Sequence, residues 1–140
     1  MKRSAALRNT TLQFYDRFSA SDLASFDAFV SKDAKLFSGT ADDEWFTDRE
    51  KPRGGFGLDG LRLEVRDPQG WEEGPIGWVS DRPVMYAPGI GPIRTRFTGV
   101  LRLKEGTWKL AMSHFLVGVP DEEVVELQHR WLGGRSGSDR

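Results

Sequence analysis

Residues 93–117 read IRTRFTGVLRLK-EG-TWKLAMSHFLV, two alternating runs separated by Glu105-Gly106. Alternation of apolar and polar residues with a period of two is typical of strands that have one buried face. Glu105-Gly106 suits a tight turn between antiparallel strands, because glycine readily adopts a positive φ. The stretch therefore predicts a long β-hairpin.

The parity of each run predicts which side chains face the core, because successive side chains of a strand point to opposite faces. In the first run the inward set is Ile93, Thr95, Phe97, Gly99, Leu101 and Leu103. Its outward set is basic and includes Arg94, Arg96, Arg102 and Lys104. In the second run the expected core face consists of Trp108, Leu110, Met112, His114 and Leu116. The opposite face of that run holds Lys109, Ala111, Ser113, Phe115 and Val117.

Strand patterns continue upstream of the hairpin. Residues 61–65 alternate before a turn at Asp67-Pro68-Gln69-Gly70, and Pro75 to Tyr86 forms a longer run. Pro83 inside that run predicts an edge position or a bulge, since proline has no N–H for the ladder. Residues 61–117 are therefore predicted to form an antiparallel meander.

Two amphipathic helices are predicted before the sheet. Residues 4–18 carry apolar side chains at three- and four-residue steps, and a second helix is expected to follow Ser21 as its N-cap. Ala34 to Ser38 predicts a short strand. Pro52 and the glycines after it limit any helix that begins at Thr47 to about one turn.

The order of these elements predicts one α+β domain over residues 1–132. Helices come first, an antiparallel meander follows, and Pro120 ends the sheet before a short terminal helix that reaches about Trp131. We expect the N-terminal helices to pack on the apolar face of a curved antiparallel sheet. Residues 133–140 are predicted to be a disordered tail.

Composition excludes several classes of protein. Twenty Lys and Arg against 21 Asp and Glu give a net charge of −1, which does not favour nucleic acid or a membrane as a partner. The chain has no cysteine and its two histidines lack metal-ligand spacing, so we expect no disulfide, no metal site and no cofactor. Residues 1–4 lead into an amphipathic helix without an apolar signal core, so a cytoplasmic location is predicted.

His114 and Asp81 are the candidate catalytic residues. His114 is a titratable ring on a face predicted to be apolar. It is either a group that contacts a ligand and moves a proton, or a buried, hydrogen-bonded histidine of the core. Asp81 interrupts a strand, and it is either a salt-bridge partner or a carboxylate that acts as a base. These alternatives stay open at the level of the sequence.

The gap between the sheet and the helices is the expected ligand site, because short helices leave part of a curved sheet uncovered. Aromatic side chains supply contact area there at low entropic cost, although each ring fits a plain core equally well. The residues expected around a ligand are Trp45, Trp78, Tyr86, Phe97, Met112 and His114.

Four motifs follow one another along the chain: Gly39-Thr40 with Asp43-Glu44-Trp45, Gly77 to Pro83, W-K-x-x-x-x-H at Trp108 to His114, and Gly118 to Glu123. In this order they resemble the SnoaL-like branch of the nuclear transport factor 2-like superfamily, and within it an uncharacterised bacterial subgroup. The resemblance covers about Leu7 to Leu127. It implies a cone-shaped fold with a central pocket, and a homodimer through the outer face of the sheet.

Members of this superfamily include isomerases, cyclases, dehydratases and non-catalytic binders, and the fold does not select among them. We predict a pocket protein that binds an apolar or aromatic small molecule; whether it is also a cofactor-free isomerase, cyclase or hydratase is left open. The alternative is a non-catalytic dimerisation or interaction module. It would use the outer face of the sheet at Arg94, Arg96, Val100 and Phe115.

Overall fold

The computed structural model describes residues 1–38, 48–56 and 60–135. The helices are α1 (Ala5–Ser19), α2 (Leu23–Phe29), α3 (Glu50–Phe56) and α4 (Asp121–Arg135). The strands are β1 (Lys2–Arg3), β2 (Val30–Ser38), β3 (Arg62–Glu64), β4 (Gln69–Glu73), β5 (Ile76–Asp81), β6 (Val84–Ala87), β7 (Ile90–Lys104) and β8 (Thr107–Val117). The predicted α+β fold, with N-terminal helices, a large sheet and a C-terminal helix, is confirmed.

Strand β7 organises the sheet because it is long enough to pair with three neighbours. It pairs with β8 along one edge, and along the other edge with β6 and then with β5. Strands β4 and β1 continue outward from β5, β3 pairs with β6, and β2 pairs with β8. Among the described strands the β2–β8 pair is parallel, and the other pairs are antiparallel. A strand that changes partners along its length bends the sheet, which therefore curves around α1 and α2.

The core lies between the concave face of the sheet and helices α1 and α2. Leu7 of α1 is fully buried and lies over Gly70 of β4 and Gly77 of β5. A Cβ atom at Gly70 would come within 2.9 Å of the Leu7 side chain, and one at Gly77 within 2.5 Å. The two glycines therefore allow the helix to approach the sheet closely.

Side-chain caps fix where the two N-terminal helices begin. The Ser4 hydroxyl accepts a hydrogen bond from the Leu7 N–H at 3.2 Å and donates one to Glu72 of β4 at 2.6 Å. The N-cap of α2 is Asp22, whose carboxylate accepts the Ser25 N–H at 3.0 Å. The predicted N-cap Ser21 is therefore wrong: with a φ of 55°, Ser21 forms the left-handed connection between the helices instead.

The hairpin is as predicted, and so is the parity of β7 up to Leu101. Glu105 and Gly106 have φ angles of 51° and 78°, which are the positive values that a two-residue hairpin turn requires. Thr95, Phe97, Gly99 and Leu101 are buried, and Arg94 and Arg96 are exposed. The alternation holds from Arg94 to Leu101, but Leu103, which was also predicted to face the core, is 37% exposed.

Strand β8 departs from the predicted parity because it contains a β-bulge at Ala111. Leu101 of β7 pairs with Leu110, whereas the residue before it, Val100, pairs with Met112, so Ala111 has no partner in β7. One extra residue in β8 reverses the facing of every side chain after it. Leu110 is buried as predicted, but Met112 is 43% exposed and Ser113 is buried. The inward orientation predicted for Met112, His114 and Leu116 is therefore wrong.

Several element boundaries also differ from the prediction. Gln69 and Gly70, predicted to be part of a turn, begin β4, and β2 starts at Val30 rather than at Ala34. Helix α3 runs for seven residues rather than one turn, because Pro52 lies in its first turn, where the N–H has no partner within the helix. The predicted start of that helix at Thr47 lies outside the described residues.

Helix α4 follows Pro120, as the sequence predicts, but it continues beyond Trp131. It ends at Arg135, so residues 133–135, predicted to belong to a disordered tail, are helical. The rest of the predicted tail lies outside the described residues. Val125, Trp131 and Leu132 are 52%, 63% and 69% exposed, which shows that the helix leaves most of its apolar surface uncovered.

Candidate functional site

A cavity of about 300 Å³ lies between the N-terminal helices and the concave face of the sheet. The aromatic residues that line it are Phe14, Tyr15, Phe18, Phe26, Phe37, Phe97 and Phe115. Aliphatic side chains complete most of the wall: Leu36, Leu61, Leu63, Met85 and Leu110. The surroundings of a molecule in this cavity are therefore mainly apolar.

Four of the aromatic side chains that line the cavity form a connected set of contacting rings. Phe97 of β7 lies 6.4 Å from Phe14, 6.2 Å from Tyr15 and 6.5 Å from Phe115, measured between ring centroids. The Phe14 ring also lies 5.0 Å from that of Phe29. Phe14, Tyr15 and Phe18 reach the sheet together because residues three and four apart share one face of α1. The rings of Phe14, Tyr15, Phe97 and Phe115 therefore support one another in this part of the wall.

Three hydroxyl-bearing residues interrupt the apolar lining: Tyr15, Ser38 and Ser113. Ser113 is 6% exposed, and it faces the cavity because the bulge at Ala111 turns it inward. Its strand neighbour in β2 is Leu36, another lining residue. A serine hydroxyl can donate one hydrogen bond and accept others, so Ser113 offers a polar anchor in an otherwise apolar wall.

Tyr15 and Asp81 form a buried polar pair next to the cavity. Burial raises the pKa of the Tyr15 hydroxyl far above its usual range, and the neighbouring Asp81 carboxylate raises it further. The hydroxyl makes no hydrogen bond of standard geometry with any residue that the structure describes. Tyr15 therefore keeps its proton at every physiological pH and can take part in hydrogen bonds but not serve as a base.

The Asp81 carboxylate is held by backbone donors. It accepts the N–H groups of Asp67 and Arg82, each at 2.7 Å, and Asp81 is 5% exposed. These bonds tie the chain before β4 to the end of β5, which satisfies a charge that would otherwise be costly to bury. Asp81 adjoins the side chain of Tyr15, a lining residue, but does not itself line the cavity.

The structure separates most of the ligand-binding residues expected from the sequence. Phe97 lines the cavity as predicted. Trp78 and Met112 lie on the outer face of the sheet, where both are neighbours of Val100. His114 is the strand partner of Phe37 in β2, and the two rings meet edge-on with their centroids 6.1 Å apart. The guanidinium carbon of Arg62 lies over the Tyr86 ring, 4.0 Å from the ring centroid. Trp45 lies outside the described residues.

Sequence reasoning missed the residues of α1 and the inward half of β8. The spacing of Phe14, Tyr15 and Phe18 indicated a helix face, and this face could have been matched to the sheet. Ser113 and Phe115 could be found only by knowing of the bulge, because an unbroken alternation places them outside.

Neither a metal site nor a membrane span is found in the described parts of the chain. No three His, Asp or Glu side chains among residues 1–38, 48–56 and 60–135 gather closely enough to hold a metal ion. No helix within those ranges is long and apolar enough to cross a membrane.

The chain has the cone-shaped α+β fold of NTF2-like proteins, and solved structures resemble it over most of its length. A candidate ketosteroid isomerase from Shewanella frigidimarina has a TM-score of 0.65 at 16% identity, covering 79% of this chain and 95% of that chain. An NTF2-like protein of unknown function in nutrient uptake from Rhodospirillum rubrum has a TM-score of 0.65 at 21% identity, with 83% and 99% covered. The association domain of CaMKII from C. elegans has a TM-score of 0.63 at 14% identity, with 76% and 89% covered. At these identities the likeness shows the fold alone.

Residues 7–120 match the family model of the SnoaL-like domain. The chain therefore belongs to the SnoaL-like domain family, and the resemblance inferred from its motifs is confirmed. No curated protein matches the chain in sequence.

Proposed function

We propose that this protein binds an apolar or aromatic small molecule in the cavity between α1 and the sheet. The observation that carries the proposal is the cavity itself, which has a volume of about 300 Å³ and is lined in part by the contacting rings of Phe14, Tyr15 and Phe97. Ligand pockets of proteins typically measure about 300–1,000 Å³ and combine an apolar wall with a few polar groups. An uncharged, mainly aromatic molecule of up to three rings matches this size and lining.

Ser113 is the proposed polar anchor for the ligand. Ser113 pairs with Leu36 of β2, and both residues line the cavity together with Phe115. A hydrogen bond made in such surroundings fixes the orientation of a ligand, since an unpaired polar group of the ligand would be costly to bury. We therefore favour ligands that carry one carbonyl or hydroxyl group on an apolar body.

A cofactor-free isomerase, cyclase or hydratase is the second candidate. The observation that favours it is the Tyr15–Asp81 pair, in which a carboxylate adjoins a phenol that keeps its proton. Carboxylates and protonated hydroxyls in apolar sites serve as base and hydrogen-bond donor in enzymes that move a proton next to a carbonyl. The similarity to a candidate ketosteroid isomerase supports this alternative, in which Asp81 moves the proton; His114, the other candidate from the sequence, does not line the cavity.

Native mass spectrometry of the purified protein, followed by titration with the neutral dye N-phenylnaphthylamine, tests the binding proposal. We expect a bound organic mass, or saturable binding of one dye per chain with increased fluorescence, because the cavity excludes water from an apolar molecule. Displacement of the dye by the co-purified compound would locate that compound in the same cavity. Absence of both a bound mass and dye binding would contradict the proposal.

We also propose a homodimer through the outer face of the sheet, as the resemblance implies. Trp71, Trp78, Val100 and Met112 are successive cross-strand neighbours on β4, β5, β7 and β8. They form an apolar row across this face, and surfaces of that kind mark protein contacts. The similarity to an association domain supports a second copy of the chain as the partner. A cytoplasmic location and a bacterial source stay predictions of the sequence.

Met112→Asp is expected to weaken the dimer about tenfold or more, because a carboxylate buried at the interface loses its hydration. Sedimentation velocity across a concentration series measures the effect. Val65→Asp is the matched control, since Val65 is 38% exposed and lies away from the row. A wild-type protein that sediments as a monomer at micromolar concentration would contradict the proposed dimer.

A further inference from the structure

A second cavity, of about 370 Å³, shares no lining residue with the apolar one. It lies where the break between β5 and β6 meets β7 and the segment 118–120 after β8. Four arginines line it: Arg66, Arg82, Arg94 and Arg96. We call it the arginine cavity.

The backbone around the arginine cavity is held by hydrogen bonds. Arg94 and Arg96 lie two residues apart on β7, so both extend from the same face of the strand. The Gly118 N–H donates to the Arg94 carbonyl at 2.8 Å, and the Thr95 N–H donates to the Pro83 carbonyl at 3.1 Å. These bonds fix the segment after β8 and the corner that carries Arg82 relative to β7, so the positions from which the arginines extend are set by the fold.

The four guanidinium groups lack acidic partners within the described part of the chain. No ion pair or side-chain hydrogen bond among residues 1–38, 48–56 and 60–135 involves any of them, whereas Arg53 pairs with Asp27 and Arg102 with Asp33. The nearby Asp81 carboxylate is already occupied by backbone N–H groups. Four like charges around one cavity repel each other, and a bound anion relieves that repulsion.

We infer that the arginine cavity binds a small, multiply charged phosphate compound, either inorganic or the diphosphate part of an organic molecule. The planar guanidinium fork matches phosphate oxygens with paired, charge-assisted hydrogen bonds. Among the residues that the structure describes, the lining has no aromatic ring on which a base could stack, and single-stranded nucleic acid relies on such rings. A compact oxyanion therefore fits the cavity better than a nucleic-acid strand does.

Isothermal titration calorimetry with inorganic pyrophosphate tests this inference on the full chain. We expect one binding site per chain, with the dissociation constant raised about tenfold or more in the double variant Arg94→Gln/Arg96→Gln, since two charge-assisted contacts are lost. Arg66→Gln/Arg82→Gln, which removes the two loop arginines, is expected to have an effect of similar size. The charge-matched control Arg3→Gln/Arg130→Gln changes exposed arginines elsewhere and should bind within about twofold of wild type.

Titration with ADP distinguishes the two sources of the ligand. Binding of ADP that is lost in Arg94→Gln/Arg96→Gln assigns the cavity to organic diphosphates, and binding of pyrophosphate alone assigns it to inorganic ones. Three results would overturn the inference: no binding of pyrophosphate, equal losses in the control and the two cavity variants, or a single-stranded oligonucleotide that binds more tightly than pyrophosphate and competes with it. Thermal melting of each variant confirms that the loss is not due to unfolding.

Discussion

Gly70→Ala is expected to lower the free energy of unfolding by about 3 kcal/mol or more, at the upper end of what overpacking costs. An added Cβ atom would lie 2.9 Å from each of three atoms: the Arg8 amide nitrogen, the Ser4 carbonyl oxygen and the Leu7 Cβ. Two of these belong to the helix backbone, so rotation of a side chain cannot make room. Helix α1 would have to move away from β4, which breaks the 2.9 Å hydrogen bond from the Ser4 N–H to the Gly70 carbonyl.

Urea unfolding of Gly70→Ala and Gly91→Ala, followed by circular dichroism, measures this effect. Gly91 is the matched control because a Cβ atom there meets no atom of a described residue within 4 Å and its φ is not in the left-handed region. We expect Gly91→Ala to change the unfolding free energy by no more than about 0.5 kcal/mol. Equal stabilities of the two variants would show that α1 does not depend on close contact with β4.

Ser113→Leu is expected to weaken binding of N-phenylnaphthylamine about 30-fold, which corresponds to about 2 kcal/mol of overpacking against the ligand. The leucine side chain extends into the cavity and occupies space that the dye needs. The protein itself should remain folded, since Ser113 borders a cavity of about 300 Å³ that can take up the added carbon atoms. The dissociation constant comes from the same fluorescence titration as for the wild type.

The neighbouring variant His114→Ala is the control for this prediction. The bulge at Ala111 places His114 on the opposite face from Ser113, beside Phe37, and His114 does not line the cavity. We expect its dye affinity to stay within about twofold of wild type, as for a change outside the contact surface. Loss of binding in His114→Ala with retention in Ser113→Leu would restore the parity read from the sequence and contradict the cavity described above.

Much of the fold could be predicted because local patterns encode it. The alternation of residues 93–104 fixed which face of β7 is buried, and the positive φ angles at Glu105 and Gly106 follow from the turn that this dipeptide forms. The three- and four-residue spacing over residues 4–18 predicted α1. Patterns of this kind depend on neighbours in sequence, so they can be interpreted without knowing the partner surface.

The candidate site was less predictable, because its residues come from elements far apart in the chain. Trp78 and Tyr86 were expected to line the cavity because aromatic rings favour buried positions. Trp78 instead lies on the outer face of the sheet, and Tyr86 makes a cation–π contact with Arg62. Asp81 was recognised as unusual, yet its partners are backbone N–H groups, which leave no signal in the sequence.

The sequence by itself determined the class of fold, the N-terminal helices, the hairpin, the helix after Pro120 and the family. Tertiary structure decided which side chains meet at the cavity. A single extra residue at Ala111 reversed the second half of β8, placing Ser113 and Phe115 inside and His114 outside. The physical reason is that alternation has a period of two, so one unpaired residue exchanges the two faces, and only pairing with β7 shows where that residue lies.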